Sequence, residues 1–175
     1  MDDTEHFLTG RADLAEHFKG KKQYLMESFY RMMRKRHDVL LDGAGQPEGG
    51  KWNYDANNRK KLPKGHRPVE PLTFDRDLTD LETMLCDCGV ETIGSVDAAH
   101  FLWPVTREEG LELLDFFVEE CLPRFGDFQD AMHPGYWSMY HARISFCMNA
   151  KLISPMEVIR AVEDKWRAHP DHADI

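Results

Sequence analysis

The residues best suited to chemistry fall between Phe125 and Pro155, in FGDFQDAMHPGYWSMYHARISFCMNAKLISP. Tyr136, Trp137 and Tyr140 offer ring faces, and His141, Arg143, Ser145 and Asn149 offer hydrogen-bonding and charged groups. Rings stack on flat ligands, while a guanidinium, an imidazole and a hydroxyl take up phosphate oxygens through charge-assisted hydrogen bonds. The combination fits a flat ligand that carries phosphates. If Tyr140 to Ser145 are helical, Tyr140 and Ile144 share one face and His141 and Ser145 the next, with Arg143 rotated about two residues away from Ser145. Near a helix start the backbone N–H groups and the dipole favour an anion. The same residues would serve as satisfied polar groups in a packed helix, and spacing alone leaves both readings open.

The elements that must position this stretch are helices. Thr9 can cap a helix over Arg11 to Phe18 that Gly20 ends. Lys21 to His37 is expected as a second helix, with Tyr24, Leu25, Ser28, Phe29, Met32 and Met33 on its buried side and Lys22, Arg31, Arg34 and Lys35 on the other. Val39 to Leu41 reads as at most one short strand. Leu78, Leu81, Met84 and Leu85 are in helical register before Gly89. Thr106 and Glu109 form a capping box for a helix that buries Leu111, Leu114, Phe117, Val118 and Cys121 and is expected to stop at Pro123 and Gly126. Ser154 and Glu157, with Pro155 at the first helical position, open a last helix that buries Val158, Ile159, Val162 and Trp166. His169 and His172 then lie in a polar tail with no metal role expected.

Between the second and third helices lies KWNYDANNRKKLPKGHRPVEP, with six Lys or Arg interleaved with Trp52, Tyr54 and His66. It has no helical or strand period and reads as a long linker. Such a stretch can follow a nucleic-acid backbone, with cations on phosphates and rings on bases. The plainer reading has Trp52 and Tyr54 pinning the linker to the domain.

The chain carries a net charge of −9, unevenly spread. Residues 19–67 hold 13 basic against 5 acidic residues, +8, and the rest hold 9 against 26, −17. That asymmetry gives a basic face that could meet an anionic partner. The 42% apolar share argues for a packed globular domain, not a disordered one. Cys86, Cys88, Cys121 and Cys147 show no paired CxxC spacing, so neither a zinc site nor a disulfide framework follows. No apolar run approaches the ~20 residues of a membrane span and no signal peptide opens the chain, so a soluble, cytoplasmic protein is expected. No Gly-rich phosphate loop, GxSxG elbow or HExxH is present.

FGDFQDAM followed by YHARISFCMNAKLISPMEVI resembles the cryptochrome and photolyase superfamily, in its deoxyribodipyrimidine photolyase-related branch of iron–sulfur bacterial cryptochromes and photolyases. GGKWNYDANNRKKLPKG is similar to that branch's interdomain signature, and DTEHFLT and FLWPVTREEG agree with it in the same order. The resemblance covers essentially the whole chain. It implies a mainly α helical bundle, with residues 1–70 as the end of an antenna-domain region and interdomain linker and 71–175 as the first half of a helical FAD-binding domain. In that superfamily a Thr/Ser pair preceding R-L-S-P binds the flavin diphosphate. The matching positions are His141, Ala142, Arg143, Ile144 and Ser145, with Phe146 in place of the proline; Arg143 and Ser145 match and the Thr/Ser pair does not.

The resemblance therefore implies FAD contacts at Ser145, His141 and Arg143, with Tyr140 lining the pocket. It implies a parent protein about three times this length, with further parts on both sides. Iron–sulfur ligands, an antenna chromophore and the rest of the flavin pocket would lie there, and none of the four cysteines is assigned to a cluster. The parent would act on DNA carrying pyrimidine photoproducts, of the (6-4) type, by light-driven electron donation from FAD. This chain alone is expected to be inactive. The alternatives are a non-catalytic blue-light receptor, a flavin-free helical interaction module, and a cofactor-free DNA-binding element using Arg59, Lys60 and Lys61.

Overall fold

The structure, a computed structural model, describes residues 6–169; the DTE of DTEHFLT and His172 lie outside the described residues. The helices are α1 (Arg11–Phe18), α2 (Met26–His37), α3 (Thr79–Asp87), α4 (Arg107–Phe116), α5 (Leu122–Phe128), α6 (Ser145–Asn149) and α7 (Pro155–Ala168). Two short 3-10 turns, Glu48–Gly50 and Asp55–Asn57, accompany them, together with three isolated β-bridges, Leu41 with Pro47, Arg76 with Phe101 and His133 with Tyr136. The chain is mainly α, as its periodicities predict.

At the start of α1, the Asp13 carboxylate accepts the Gly10 N–H at 2.9 Å and the Thr9 hydroxyl at 3.2 Å, so Thr9 acts through Asp13 and Gly10 is the cap. The second helix begins at Met26, five residues later than Lys21. Lys21 and Lys22 would place two positive charges at the positive end of the helix dipole, whereas the observed first turn carries Glu27. The helix ends on Asp38 in the left-handed conformation, φ 51°.

The largest departure from expectation is at Pro123 and Gly126, which do not end the fourth helix. From Phe117 to Cys121 the backbone widens into a π turn, and α5 follows directly with Pro123 in its first turn. There a proline needs no N–H, and the π turn removes the clash its ring would make in an unbroken α-helix. A nearly continuous rod from Arg107 to Phe128 results.

The core forms on this rod. Leu113, Leu114, Phe117, Val118, Cys121 and Leu122 meet Phe128, Met139, Tyr140, Ile144, Cys147 and Ile153 in one buried cluster. Leu111, expected inside, is only partly buried. Helix α3 has no buried residue, and its apolar register faces solvent at Leu81 and Met84. Trp52 pins the linker, lying under the cations of Arg31, Arg34 and Lys35 at 5.2–5.4 Å, whereas Tyr54 is exposed and reaches only the neighbouring Gly49 and Lys51; Arg59 and Lys60 pair with Asp130 and Asp127.

Helix α7 packs on the rod through Val158, Ala161 and Val162, each partly buried. Its innermost side chain is Glu163, 1% exposed. Glu163 Oε1 accepts the Leu40 N–H at 2.9 Å, and the carboxylate pairs with Arg160 and Arg167. Arg34, also buried, donates to the carbonyls of Val39, Leu40 and Trp52 at 2.6–3.2 Å.

Glu163→Ala is expected to cost about 2 kcal/mol in urea unfolding, because Leu40 N–H loses its acceptor while the half-exposed arginines return to water. Glu163→Gln, which keeps an acceptor, should cost about half as much by the same comparison. A change under about 0.5 kcal/mol for the alanine variant would remove Glu163 from this role.

The α4 and α7 starts are joined by Arg107, which donates to Leu152 O at 2.7 Å and pairs with Glu157. Arg107, with help from the Ser154 N–H, pulls the Glu157 carboxyl from 4.5 down to about 2. A depressed carboxylate stabilises the fold above its unfolded value, and that contribution is lost as pH falls toward the folded one. Stability measured between pH 4.5 and pH 2 should therefore drop more steeply in the wild type than in Glu157→Gln; parallel profiles would contradict the assignment.

Candidate functional site

Residues 129–144 leave the rod as an irregular strap that returns to the core before α6. The anticipated helix over Tyr140 to Ser145 is absent: Tyr140 to Ile144 are non-helical, and α6 starts only at Ser145. Arg143 has φ 56°, a left-handed conformation that a non-glycine residue adopts at a cost and that a right-handed helix cannot contain. Met139, at φ 50°, makes a second such corner.

Between these corners Tyr140 points into the core, 5% exposed. Its hydroxyl lies 2.6 Å from His66 Nε2, and its ring stacks on Phe128 with centroids 5.5 Å apart. Burial raises the phenol above its ordinary value, so it keeps its proton, and the neutral hydroxyl and the His66 imidazole share this hydrogen bond. His66 also stacks on Phe128 at 6.2 Å, and the linker is thereby fastened to the strap. In the sequence His66 is only a lone histidine after Pro63-Lys64-Gly65; those residues form a turn, Gly65 at φ 80°, that His66 closes by donating its N–H to Pro63 O at 3.0 Å.

Arg143 is half-buried, and burial lowers it from the usual arginine value. Its Nη1 donates to Leu72 O at 2.9 Å, and its guanidinium sits 5.3 Å from the Trp137 ring centroid. Nε and Nη2, the two donors along one edge of the guanidinium, are enclosed and have no protein partner. Enclosed donors without acceptors are uncommon and costly. That edge matches two oxygens of a phosphate or carboxylate. Nearby, burial pushes the Cys121 thiol up to about 11, which keeps it neutral.

The four residues singled out from the sequence do not share one surface. Tyr140 and Arg143 turn inward, His141 is partly exposed, and Ser145 is exposed on the first turn of a five-residue helix. None of them lines the cavity of about 870 Å³ that is bordered by residues of α2, 48–55, α5 and α7.

The fold and the strap define a mainly helical unit in which a strap between two helices carries an arginine with two enclosed, unpartnered donors. The deoxyribodipyrimidine photo-lyase-related protein family matches residues 1–101, more than half of the chain, and the chain belongs to that family. It is 32% identical over 163 residues to a (6-4) photolyase of Agrobacterium fabrum, a match covering 90% of this chain and 31% of that protein. It is 38% identical over 61 residues to an uncharacterized protein of Acanthamoeba polyphaga mimivirus, covering 33% of this chain and 31% of that one. The chain thus spans about a third of the length of these curated relatives. Among the described residues no helix is long and apolar enough to cross a membrane.

Tyr140→Phe should lower stability by about 1–2 kcal/mol by leaving His66 Nε2 without its hydrogen-bond partner. Ser145→Ala, on the exposed side of α6, should stay within about 0.5 kcal/mol. Equal effects of the two in chemical denaturation would contradict the inward assignment of Tyr140.

Proposed function

We propose that this chain supplies part of the flavin diphosphate site of a photolyase-related flavoprotein, and that the complete protein uses FAD and light to repair pyrimidine (6-4) photoproducts in DNA. The observation that carries this reading is the enclosed Nε–Nη2 edge of Arg143, two donors of a cation with no acceptor in the chain. The kinship to a (6-4) photolyase supports the choice of cofactor and lesion. The donor set fits the group: a diphosphate is the planar-edged, doubly accepting anion that such an arginine edge takes.

In this reading Arg143 holds phosphate oxygens, with its position set by the Leu72 carbonyl on one side and the Trp137 ring on the other. The Tyr140–His66 pair closes the inner side of the strap and keeps it from shifting. Ser145 and His141 add hydroxyl and imidazole contacts at the outer side. When bound, the flavin supplies light absorption and the electron for repair. The two part-lengths, residues 1–70 as an antenna-side region with linker and 71–175 as the first portion of the flavin domain, belong to the same proposal. The DNA partner and the remaining parts of the flavin pocket belong to the complete protein.

A polypeptide extended at both ends to the length of its relatives should retain FAD through purification, seen as flavin absorbance. Arg143→Ala should weaken FAD about ten- to a hundredfold, the worth of hydrogen bonds to a charged group. Arg143→Lys should not restore it, since an ammonium has no two-donor edge. An extended protein that folds but takes up no flavin would sink the reading and leave the flavin-free interaction module as the better account.

A further inference from the structure

Residues 77–98 leave the body of the protein and return to the same place. The backbone is zipped at the neck of this excursion: the Phe74 N–H reaches Leu102 O at 3.3 Å, Arg76 and Phe101 exchange both backbone hydrogen bonds at 2.9 Å, and the Leu78 N–H donates to Ala98 O at 2.7 Å. From Thr79 to Asp97 every residue except Leu85 is exposed. Helix α3, which the arm carries, is nonetheless capped at both ends by its own neighbours. The Asp77 carboxylate accepts the Thr79 N–H at 2.9 Å and its hydroxyl at 2.7 Å. At the other end Gly89, at φ 66°, donates its N–H to Cys86 O, and the Val90 N–H donates to Leu85 O, both at 3.0 Å, which satisfies the last carbonyls of the helix.

A surface helix ordinarily turns its apolar stripe to the core. At about 3.6 residues per turn Leu81, Met84, Leu85 and Cys88 fall on one side of α3, with Asp80 on one edge and Glu82 on the other. Here the stripe stands open: Leu81 is 45% and Met84 52% exposed, and the apolar surface continues along the arm through Val90, Ile93 and Val96. Apolar side chains gathered on one exposed arm mark a contact surface, whereas the same residues scattered singly would mean nothing.

The charge around the stripe says what it can meet. From Asp77 to Asp97 there are six carboxylates and no lysine or arginine. Asp80, Glu82, Asp87 and Glu91 enter no ion pair among the described residues. The complement is a surface that is both apolar and positive, and this chain carries one. Residues 19–26, KGKKQYLM, are all exposed and hold three lysines and no carboxylate. Beside the lysines, Tyr24, Leu25 and Met26 are 75%, 58% and 72% exposed. Lys21 and Lys22 meet no carboxylate among the described residues, and the positive end of the α2 dipole follows directly. Both surfaces stay open in one chain, so they do not cover each other there.

We propose that the arm of residues 77–98 docks on residues 19–26 of a second copy of this chain, its apolar stripe against Tyr24–Met26 and its rim carboxylates against Lys21 and Lys22. The apolar area holds the contact together, while exposed charge pairs of this kind add little affinity and select the partner. The contact does not involve Arg143 and does not depend on the flavin diphosphate reading.

The test is sedimentation velocity of the purified chain over a concentration series. The mass should rise above that of the monomer in low-salt buffer and fall back at about 1 M salt, where charges are screened beyond about 3 Å. Lys21→Glu with Lys22→Glu, and separately Asp80→Lys with Glu82→Lys, should each stay monomeric while keeping the wild-type circular dichroism and unfolding midpoint. Mixed in equal amounts, these two variants should associate again, because each reversed surface now meets its complement. Leu81→Ser with Met84→Ser should weaken association tenfold or more. A wild-type chain that is monomeric at every concentration overturns the proposal. So does association that both charge-reversed variants retain, or a mixture of them that stays monomeric. If a polypeptide extended to the length of its relatives is monomeric and protects residues 79–97 from hydrogen exchange where the chain alone does not, the arm is covered by another part of the same protein, and the proposal falls.

Discussion

The turn at Val39–Leu40 is held from both sides by buried charge, and the relation between the two ends of the chain rests on it. Arg34, from α2, gathers the carbonyls of Val39, Leu40 and Trp52. Glu163, from α7, takes the Leu40 N–H, and its neighbour Arg160 caps His37 O at 3.0 Å. Leu40 itself is left-handed, φ 47°. A leucine in that conformation with its amide facing away from water needs an acceptor, and only a side chain reaching across from another element can supply one. The contact therefore does more than add one hydrogen bond. It fixes where α2 stops, which sets the direction of the linker, and so where Trp52, Tyr54 and His66 meet the body of the protein.

The strap around Arg143 shows the opposite use of charge. At Leu40 a strained backbone and buried ions complete one another; at Arg143 the strain remains and two donors stay empty. A core that needed only stability would place a glycine at a left-handed corner and a hydrophobic side chain in the enclosed space. That this corner keeps an arginine, oriented by Leu72 and Trp137, is the physical ground on which an anion site is proposed there. Ser145 and His141, on the outer side of the same strap, have no such tension attached to them.

Much of the fold was legible because it rests on local rules. Both capping boxes, Thr106–Glu109 and Ser154–Glu157, form as their spacing requires. What failed needed knowledge of distant contacts. The π turn that carries a helix through Pro123 is set by packing along the rod and leaves no mark in a hydrophobic period. The stripe of α7 was read correctly as inward-facing, but its most buried member, Glu163, looked like a surface residue until Leu40, 123 positions away, supplied its partner. The helical reading of Tyr140 to Ser145 followed side-chain periodicity where backbone conformation decided, and a left-handed arginine cannot be foreseen from composition. Two basic residues of the linker, Arg59 and Lys60, pair with Asp130 and Asp127 while staying largely exposed, contacts that the sequence pattern gave no sign of.

Burial is also graded along the chain in a way that bears on what each part does. The α4–α5 rod and the strap own almost all of the closed core, while α3 buries nothing and α2 buries only Arg34. An element with few buried apolar contacts opens at lower free energy than the core it is attached to. Helix α2 is nevertheless held, by the charge cluster at its end and by cations on Trp52, so its apolar face stands open without being loose. Helix α3 is tied at its start alone, by the Leu78 N–H to Ala98 O at 2.7 Å and by the Asp77 carboxylate 2.9 Å from Thr79 N. The contrast lies in what holds each helix: α2 is tied through Arg34 and Trp52, whereas Leu81 and Met84 of α3 stand in solvent.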